Sequence, residues 1–307
     1  MSRAISFLYR QPWLLLTLCA LFWGGNAVAG RLAVGHIQPF QLVLMRWLCV
    51  AVALWFLFGH EVRAHWGVLR PRLSWLILIA TVGFTVFNAL FYIAALSTTA
   101  VNIGILQGAM PVMVLIGAFL AYRTPVGWVQ ALGVVVTLAG VATVASQGAP
   151  LELLRLGINP GDGYMLIAGA AYSFYTVMLR KRPDIPGRAF FTVMAIVALA
   201  SSIPLAIGEA VATGFTMPTT QGWLVVLFVA IFPSCLSQLF FLRGVDLIGP
   251  GQAGVYINLV PVFASILAVL ILGERFAWYH AAALALVLGG IWLAQRSASL
   301  ATRDQTR

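Results

Sequence analysis

The sequence predicts an all-α integral membrane protein of ten transmembrane helices, arranged as two five-helix halves of opposite topology. Three observations predict it. Of 307 residues, 62% are hydrophobic and 8% charged, with a mean hydropathy of +0.98, where soluble domains carry roughly 25% charged residues. The apolar residues fall into ten runs, each close to the roughly 20 residues that a hydrocarbon core requires. The second half also resembles the first when the sequence is slid by 150 residues.

The runs of the first half are 13–33, 38–59, 73–96, 99–122 and 127–147. The first follows Arg3 and Arg10, and its Ala27-Val28-Ala29 looks like a signal-peptidase site. It nevertheless continues at full length to Arg31 and has a counterpart in the second half, so it is expected to be retained. A polar connection with Gly and Pro at 148–161 separates the halves, giving a first repeat at 1–147. The second repeat occupies 162–296, with runs at 162–180, 187–208, 221–243, 249–272 and 276–295, and a tail at 297–307. Spans of this total length leave no room for a water-soluble domain.

The charge is +10, yet the 18 cations are dispersed among short connections, which argues against nucleic acid as a partner. With the N-terminus inside, 14 cations face the cytoplasm, only Arg31, Arg155 and Arg275 lie outside, and Arg46 is within a span. The bias of Lys and Arg toward cytoplasmic loops therefore places both termini in the cytoplasm. Cys19, Cys49 and Cys235 all lie in apolar segments and read as packing residues, with no disulfide or metal spacing.

The internal match is ungapped over about 88–142. At offset 150, Phe91 meets Phe241, Gly104 meets Gly254, Pro111-Val112 meets Pro261-Val262, Trp128 meets Trp278 and Gly140 meets Gly290. Asn88 meets Gln238 and Asn102 meets Gln252. At offset 149, Trp23 meets Tyr172, Asn26 meets Tyr175 and Arg31 meets Arg180. An odd number of spans per half makes the second half enter the membrane from the opposite side. Such inverted repeats are characteristic of carriers with a substrate site near the midplane.

The chain resembles the EamA-type branch of the drug/metabolite transporter superfamily over nearly its whole length. The residues that carry the resemblance are Phe22-Trp23-Gly24-Gly25-Asn26, Arg46, Pro111, Pro261, and Leu272-Gly273-Glu274-Arg275 ahead of Trp278. Each motif is weak alone, and their order across ten spans is specific. The resemblance implies a 5+5 inverted-repeat carrier of a bacterial inner membrane, closest in character to the amino-acid exporters of the family, including those for aromatic amino acids. Export, as a direction, rests on the resemblance alone.

Within lipid, buried amides and tyrosines must face the bundle interior or an aqueous cavity. Helical spacing places Trp23 and Asn26 on one face, Asn88 and Tyr92 on another, Tyr172 with Tyr175, and Gln252 with Tyr256. With Asn102 and Gln238, these are the candidate substrate-binding residues, and interhelical bonding is the competing role for each. A neutral lining of amides and aromatics suits amino acids, because phosphate esters call for several midspan cations. Arg46 is the single cation available. It is open to holding a carboxylate, snorkelling, or pairing with backbone carbonyls, and the structural roles are favoured.

All eight acids and all four histidines fall in connections or at helix ends, so a midmembrane proton relay has no candidate, and facilitated transport is preferred to proton coupling. Gly24, Gly25, Pro111, Pro233 and Pro261 are candidate hinges or kinks. Small-residue patterns such as Gly104-x-x-x-Gly108 serve either internal packing or a homodimer. No cofactor or metal is expected. A proton-coupled multidrug or metabolite exporter is the alternative, and an intramembrane enzyme is disfavoured because no midspan nucleophile accompanies a base.

Overall fold

The computed structural model describes residues 10–124, 126–149 and 159–304. Arg3, Glu152, Arg155 and Arg307 lie outside the described residues, as does most of the connection expected at 148–161. No strand occurs among the described residues. Helical segments follow in the order α1 Pro12–Ala33, α2 Pro39–Ala64, α3 Trp66–Ser97, α4 Ala100–Tyr122, α5 Trp128–Ala145, α6 Pro160–Met178, α7 Gly187–Thr213, α8 Thr220–Ile248, α9 Gln252–Leu272 and α10 Trp278–Asp304.

Among the described residues, nine of these helices are long and apolar enough to cross a membrane. The sequence reading expects ten. The helix outside the count is α6, whose 19 residues include Asp162 in the first turn and Tyr164, Tyr172, Ser173 and Tyr175 farther along. Those polar groups lower its hydropathy, and they are tolerated because α6 packs against α3 and α4.

Helix starts are encoded locally. Proline occupies the first turn of α1, α2 and α6, where its missing N–H is not needed. Thr99 caps α4 by accepting from Asn102 N at 3.1 Å, and Thr219 caps α8 by accepting from Gly222 N at 3.2 Å. The ends of α4 and α9 both turn through the left-handed region, at Arg123 (φ 53°) and Gly273 (φ 64°).

Interruptions fall at corresponding places in the two halves. A π-helical turn covers Thr81–Val86 within α3, and another covers Ala230–Leu236 within α8. In α4 the helix breaks at Ala109 and restarts with Pro111 in its first turn. In α9 a 3-10 turn at Tyr256–Leu259 precedes a restart with Pro261 in the first turn. Pro233 sits inside the α8 π-turn. The expected interruption at Gly24-Gly25 is absent, because α1 runs unbroken through both. A Cβ on Gly24 would meet Val260 O, Phe263 and Ala264 of α9, and one on Gly25 would meet Phe228 of α8. These two glycines are contact points between helices.

Three pairs of corresponding helices, α2 with α7, α4 with α9 and α5 with α10, pack antiparallel. Along α5 and α10, Gly133 lies against Gly290 and Ala294, and Gly140 against Ala283 and Val287. Along α4 and α9, Gly104 lies against Ala264, and Gly108 against Pro261. Between α2 and α7, Glu209 accepts from Phe40 N and Gln41 N at 2.9 to 3.1 Å, while at the other end Glu61 pairs with Arg188 at 2.9 Å.

The two ends of the bundle differ. One carries Glu209, Glu274 and Asp162 and is called here the acidic end; the other carries Arg72, Arg123, Arg180, Lys181 and Arg188 and is called the basic end. At the acidic end α4 is buried along Ala100–Leu106. At the basic end the equivalent stretch of α9 is looser: from Gln252 to Tyr256 only Ala253 is buried.

The α5–α10 seam supplies a test. A methyl on Gly290 would collide with Thr137 and Gly133 O, whereas one on Gly289 meets nothing within 4 Å. Gly290→Ala is expected to destabilise the protein by about 1–3 kcal/mol, and Gly289→Ala to be neutral or stabilising by up to about 1 kcal/mol. Thermal unfolding of the two variants in detergent checks the opposite signs.

Candidate functional site

α2 carries Arg46 about seven residues beyond Pro39, which at 1.5 Å per residue is about 10 Å into the helix. The side chain is 6% exposed, so it does not snorkel. Its Nε donates to Ser234 Oγ at 2.6 Å, and its Nη1 donates to Asn88 Oδ1 at 2.6 Å and to the Tyr92 hydroxyl at 2.8 Å. Tyr92 passes its own proton to Asn26 Oδ1 at 3.1 Å. One polar network thus joins α1, α2 and α3 of the first half to α8 of the second.

The acceptors are themselves fixed by the two π-turns. A π-helical bond skips one residue more than an α-helical bond and leaves carbonyls open to side chains. Asn88 Nδ2 donates to Phe84 O in the α3 π-turn at 2.6 Å, which turns its Oδ1 toward Arg46. Ser234, inside the α8 π-turn, donates to Val229 O at 2.5 Å and so presents a lone pair to Arg46. Trp23 Nε1 donates to Pro233 O of the same turn at 3.0 Å. Aromatic rings close the surroundings: Trp47 stacks on Phe84 at 5.1 Å, Phe84 meets Tyr175 at 5.1 Å and Phe191 at 6.0 Å, and the guanidinium carbon lies 5.4 Å from the Trp47 ring.

Of the candidate residues, Asn26, Asn88 and Tyr92 meet in this network. Tyr172 and Tyr175 lie 5.7 Å apart on α6 and extend the aromatic wall through Phe87 and Phe84. Trp23 and Tyr256 meet Leu16, Cys19, Ala20, Phe241 and Ile257 around an apolar crevice too narrow to hold a water molecule. Gln238 is half-buried on α8, and Gln252 is exposed at the start of α9, so the pairing of Gln252 with Asn102 does not extend to a shared environment. A second cleft, about 200 Å³ between α4, α5 and α10, is lined by Pro111, Gln130 and Gln295 among others and touches none of the network.

Asn102 belongs to a separate cluster at the acidic end. Its Nδ2 donates to both oxygens of Asp162 at 3.3 Å, and Thr98 Oγ1 donates to Asp162 Oδ1 at 2.5 Å. His280 Nδ1 accepts from Ala277 N at 3.0 Å, which leaves Nε2 as the donor to Asn102 Oδ1 at 3.2 Å. Glu274 accepts from Ala100 N at 2.8 Å and Val101 N at 3.0 Å, placing a carboxylate on the N-terminus of α4. Arg31 lies 4.0 Å from Glu274 and donates to Ala95 O at 2.6 Å. Asp162 is 1% exposed and His280 is 3% exposed. Both sit at helix ends, as the sequence indicates, yet both are buried and joined through Asn102.

The description of the EamA-like transporter family matches this chain twice, over residues 11–146 and 159–295. The chain belongs to the EamA-like transporter family. It is a membrane transporter, multi-pass and duplicated in sequence. An uncharacterized transporter of Bacillus subtilis, YetK, is 26% identical over 271 residues, covering 88% of this chain and 82% of that protein. An uncharacterized transporter of Archaeoglobus fulgidus is 27% identical over 293 residues, covering 91% and 96%. A solved crystal structure superposes with a TM-score of 0.62 at 19% identity over 92% of this chain and 96% of the other, a likeness of fold.

In this EamA-like transporter the sequence reading leaves Arg46 open between holding a carboxylate and a structural role, and the structure adds its burial and its neutral partners. The sequence marks it as the one cation in midspan. Ser234 gave less warning, since a serine in an apolar run is unremarkable until a π-turn aims it. The network predicts unequal effects of removing two phenolic hydroxyls. Tyr92→Phe strands the buried Asn26 Oδ1 and is expected to cost about 1–3 kcal/mol. Tyr256→Phe, whose hydroxyl bonds to no group among the described residues, is expected to stay within about 0.5 kcal/mol. Thermal unfolding of both variants checks the difference.

Proposed function

We propose that this transporter is an alternating-access carrier that exports amino acids and related small metabolites, and that its ten spans form a 5+5 inverted-topology repeat. The observation that carries the reading is the buried polar network on Arg46, which draws residues from both halves deep inside an otherwise apolar bundle. A static membrane bundle has no need to place a guanidinium there. The repeat is supported by the antiparallel packing of α2 with α7, α4 with α9 and α5 with α10, and by the matched π-turns, helix breaks and left-handed helix ends.

The neutral amides and aromatic rings around the network suit the apolar side chain and polar backbone groups of an amino acid. The crowding of cations at one end supports a cytoplasmic basic end with both termini there, as expected of a bacterial inner-membrane protein. Contacts concentrated at the acidic end, with looser burial of α9 at the basic end, fit a carrier resting with the acidic end closed. Facilitated transport remains the preferred mode, because the Arg46 network contains no titrating carboxylate or imidazole. A specific observation favours a second reading, proton coupling: Asp162 and His280 are buried and linked through Asn102 between α4, α6 and α10.

Purified protein in liposomes preloaded with unlabelled amino acid tests the reading. Saturable counterflow of labelled amino acid, present without a pH gradient, is the expected result. No flux above empty vesicles across amino-acid classes contradicts the amino-acid reading. Flux that requires a pH gradient and disappears in Asp162→Asn selects the proton-coupled alternative.

A further inference from the structure

We infer that Arg46 is the anchor for a substrate carboxylate, and that the site is matched to a monocarboxylate of net charge −1 at least as well as to a zwitterion. The inference rests on the carrier reading above and concerns the charge its central site accepts.

The argument begins with what surrounds the guanidinium. Among the described residues the salt bridges are Arg31–Glu274 and Arg188–Glu61, so no acid lies within 4.0 Å of Arg46. Its hydrogen-bond partners are Ser234, Asn88 and Tyr92, all neutral. Taking a cation out of water is costly unless an opposite charge compensates it. Neutral acceptors compensate it only in part, so the site retains an attraction for one negative charge.

Geometry indicates how that charge would be received. Nε and Nη1 are engaged, while no described protein group accepts from Nη2. The guanidinium therefore keeps one nitrogen free of the described groups. Three of its five N–H groups are thus taken, and the two on Nη2 remain to give a charge-assisted bond to a carboxylate oxygen. The π-turns hold Asn88 and Ser234 and thereby fix the plane of the guanidinium, so Nη2 is pre-oriented. Trp47 and Phe84 lie beside it and offer apolar faces to the remainder of a substrate.

Charge arithmetic narrows the class. A monocarboxylate neutralises the single cation, and a phosphate dianion would leave a net negative charge in the same enclosure. A zwitterionic amino acid leaves the cation's charge in place, since no acid adjoins the network to receive an ammonium group. The carboxylate is thus the required group, and the amino group is optional.

Three matched probes separate these cases: 3-phenylpropionate, L-phenylalanine and L-phenylalaninamide, used as competitors of transport and as stabilisers against thermal unfolding of the full chain. For the wild type, 3-phenylpropionate is expected to act at or below the concentration needed for phenylalanine, and the amide to act at least tenfold more weakly. Arg46→Lys, which keeps the charge and loses the guanidinium's fixed plane, is expected to raise the half-saturating concentration of both carboxylates at least tenfold. Its unfolding temperature without ligand is expected to fall, because Ser234, Asn88 and Tyr92 lose their fixed donors, so each competitor is read against the unliganded variant. Arg46→Gln should abolish the distinction between acid and amide; if it does not fold, the lysine variant and the wild-type series decide. Equal action of amide and acid on the wild type, or unchanged carboxylate affinity in Arg46→Lys, overturns the proposal and leaves amino-acid transport standing. Stabilisation by inorganic phosphate but not by carboxylates also overturns it. If the wild type moves no amino acid yet is stabilised by 3-phenylpropionate in an Arg46-dependent manner, the anchor stands and the amino-acid reading falls.

Discussion

The structure depends on the enclosure of one guanidinium by two π-helical turns, one from each half. In hydrocarbon every polar group must find a partner within the protein, and a permanent cation is the most demanding case. Arg46 meets that demand with Asn88 and Ser234. Each of these is oriented by a carbonyl at a π-turn, Phe84 O in α3 and Val229 O in α8. Removing either turn would return the carbonyl to an α-helical bond and release the acceptor. The interruptions in α3 and α8 are therefore coupled to the charge at the centre, and through it to each other. Tyr92 and Asn26 extend the same coupling to α1.

Around this centre the remaining helices are held by close backbone approach. Lipid tails are as apolar as leucine, so helix association relies on packing and interhelical hydrogen bonds. Gly24 admits α9, Gly104 admits Ala264, and Gly133, Gly140 and Gly290 bring α5 and α10 together. Polar contacts are concentrated at the acidic end, where Glu209 caps α2 and Glu274 caps α4, each reaching from one half to a helix N-terminus of the other. At the basic end Thr124, equivalent in sequence to Glu274, has a buried hydroxyl with no partner. The two halves are alike in plan and unlike in closure, which supports the alternating-access carrier proposed above.

Much of this was legible in the sequence. Run length and the 150-residue offset located the helices, because hydrophobic thickness and Pro, Gly and Trp positions are local properties. They also placed Asn26, Asn88 and Tyr92 on inward faces, since helical spacing fixes which side chains share a face. Other features depended on tertiary context. Thr81–Val86 contains no proline and reads as ordinary helix, so its π-turn was invisible, and with it the aim of Asn88. Gly24 and Gly25 read as candidate hinges or kinks, and only the positions of α9 and Phe228 reveal the close contacts that both glycines also make. The sequence reading counts 162–180 as a span, whereas α6 is outside the nine described helices that are long and apolar enough to cross a membrane, and its packing against α3 and α4 accommodates its polar residues. Asp162 and His280 read as helix-end residues, and their burial was not legible because burial at an end depends on neighbouring helices.

The central claim is that two similar halves open alternately on a site around Arg46. Paired spin labels test it most directly, in protein with Cys19, Cys49 and Cys235 replaced. One pair at Ser97 and Arg275 reports the acidic end, and another at Arg123 and Gln252 reports the basic end, all four being exposed positions. The account predicts two distance populations at each end, with substrate shifting them in opposite senses, so that one end widens as the other narrows. Distances that ignore substrate at both ends, or that widen together, would contradict it.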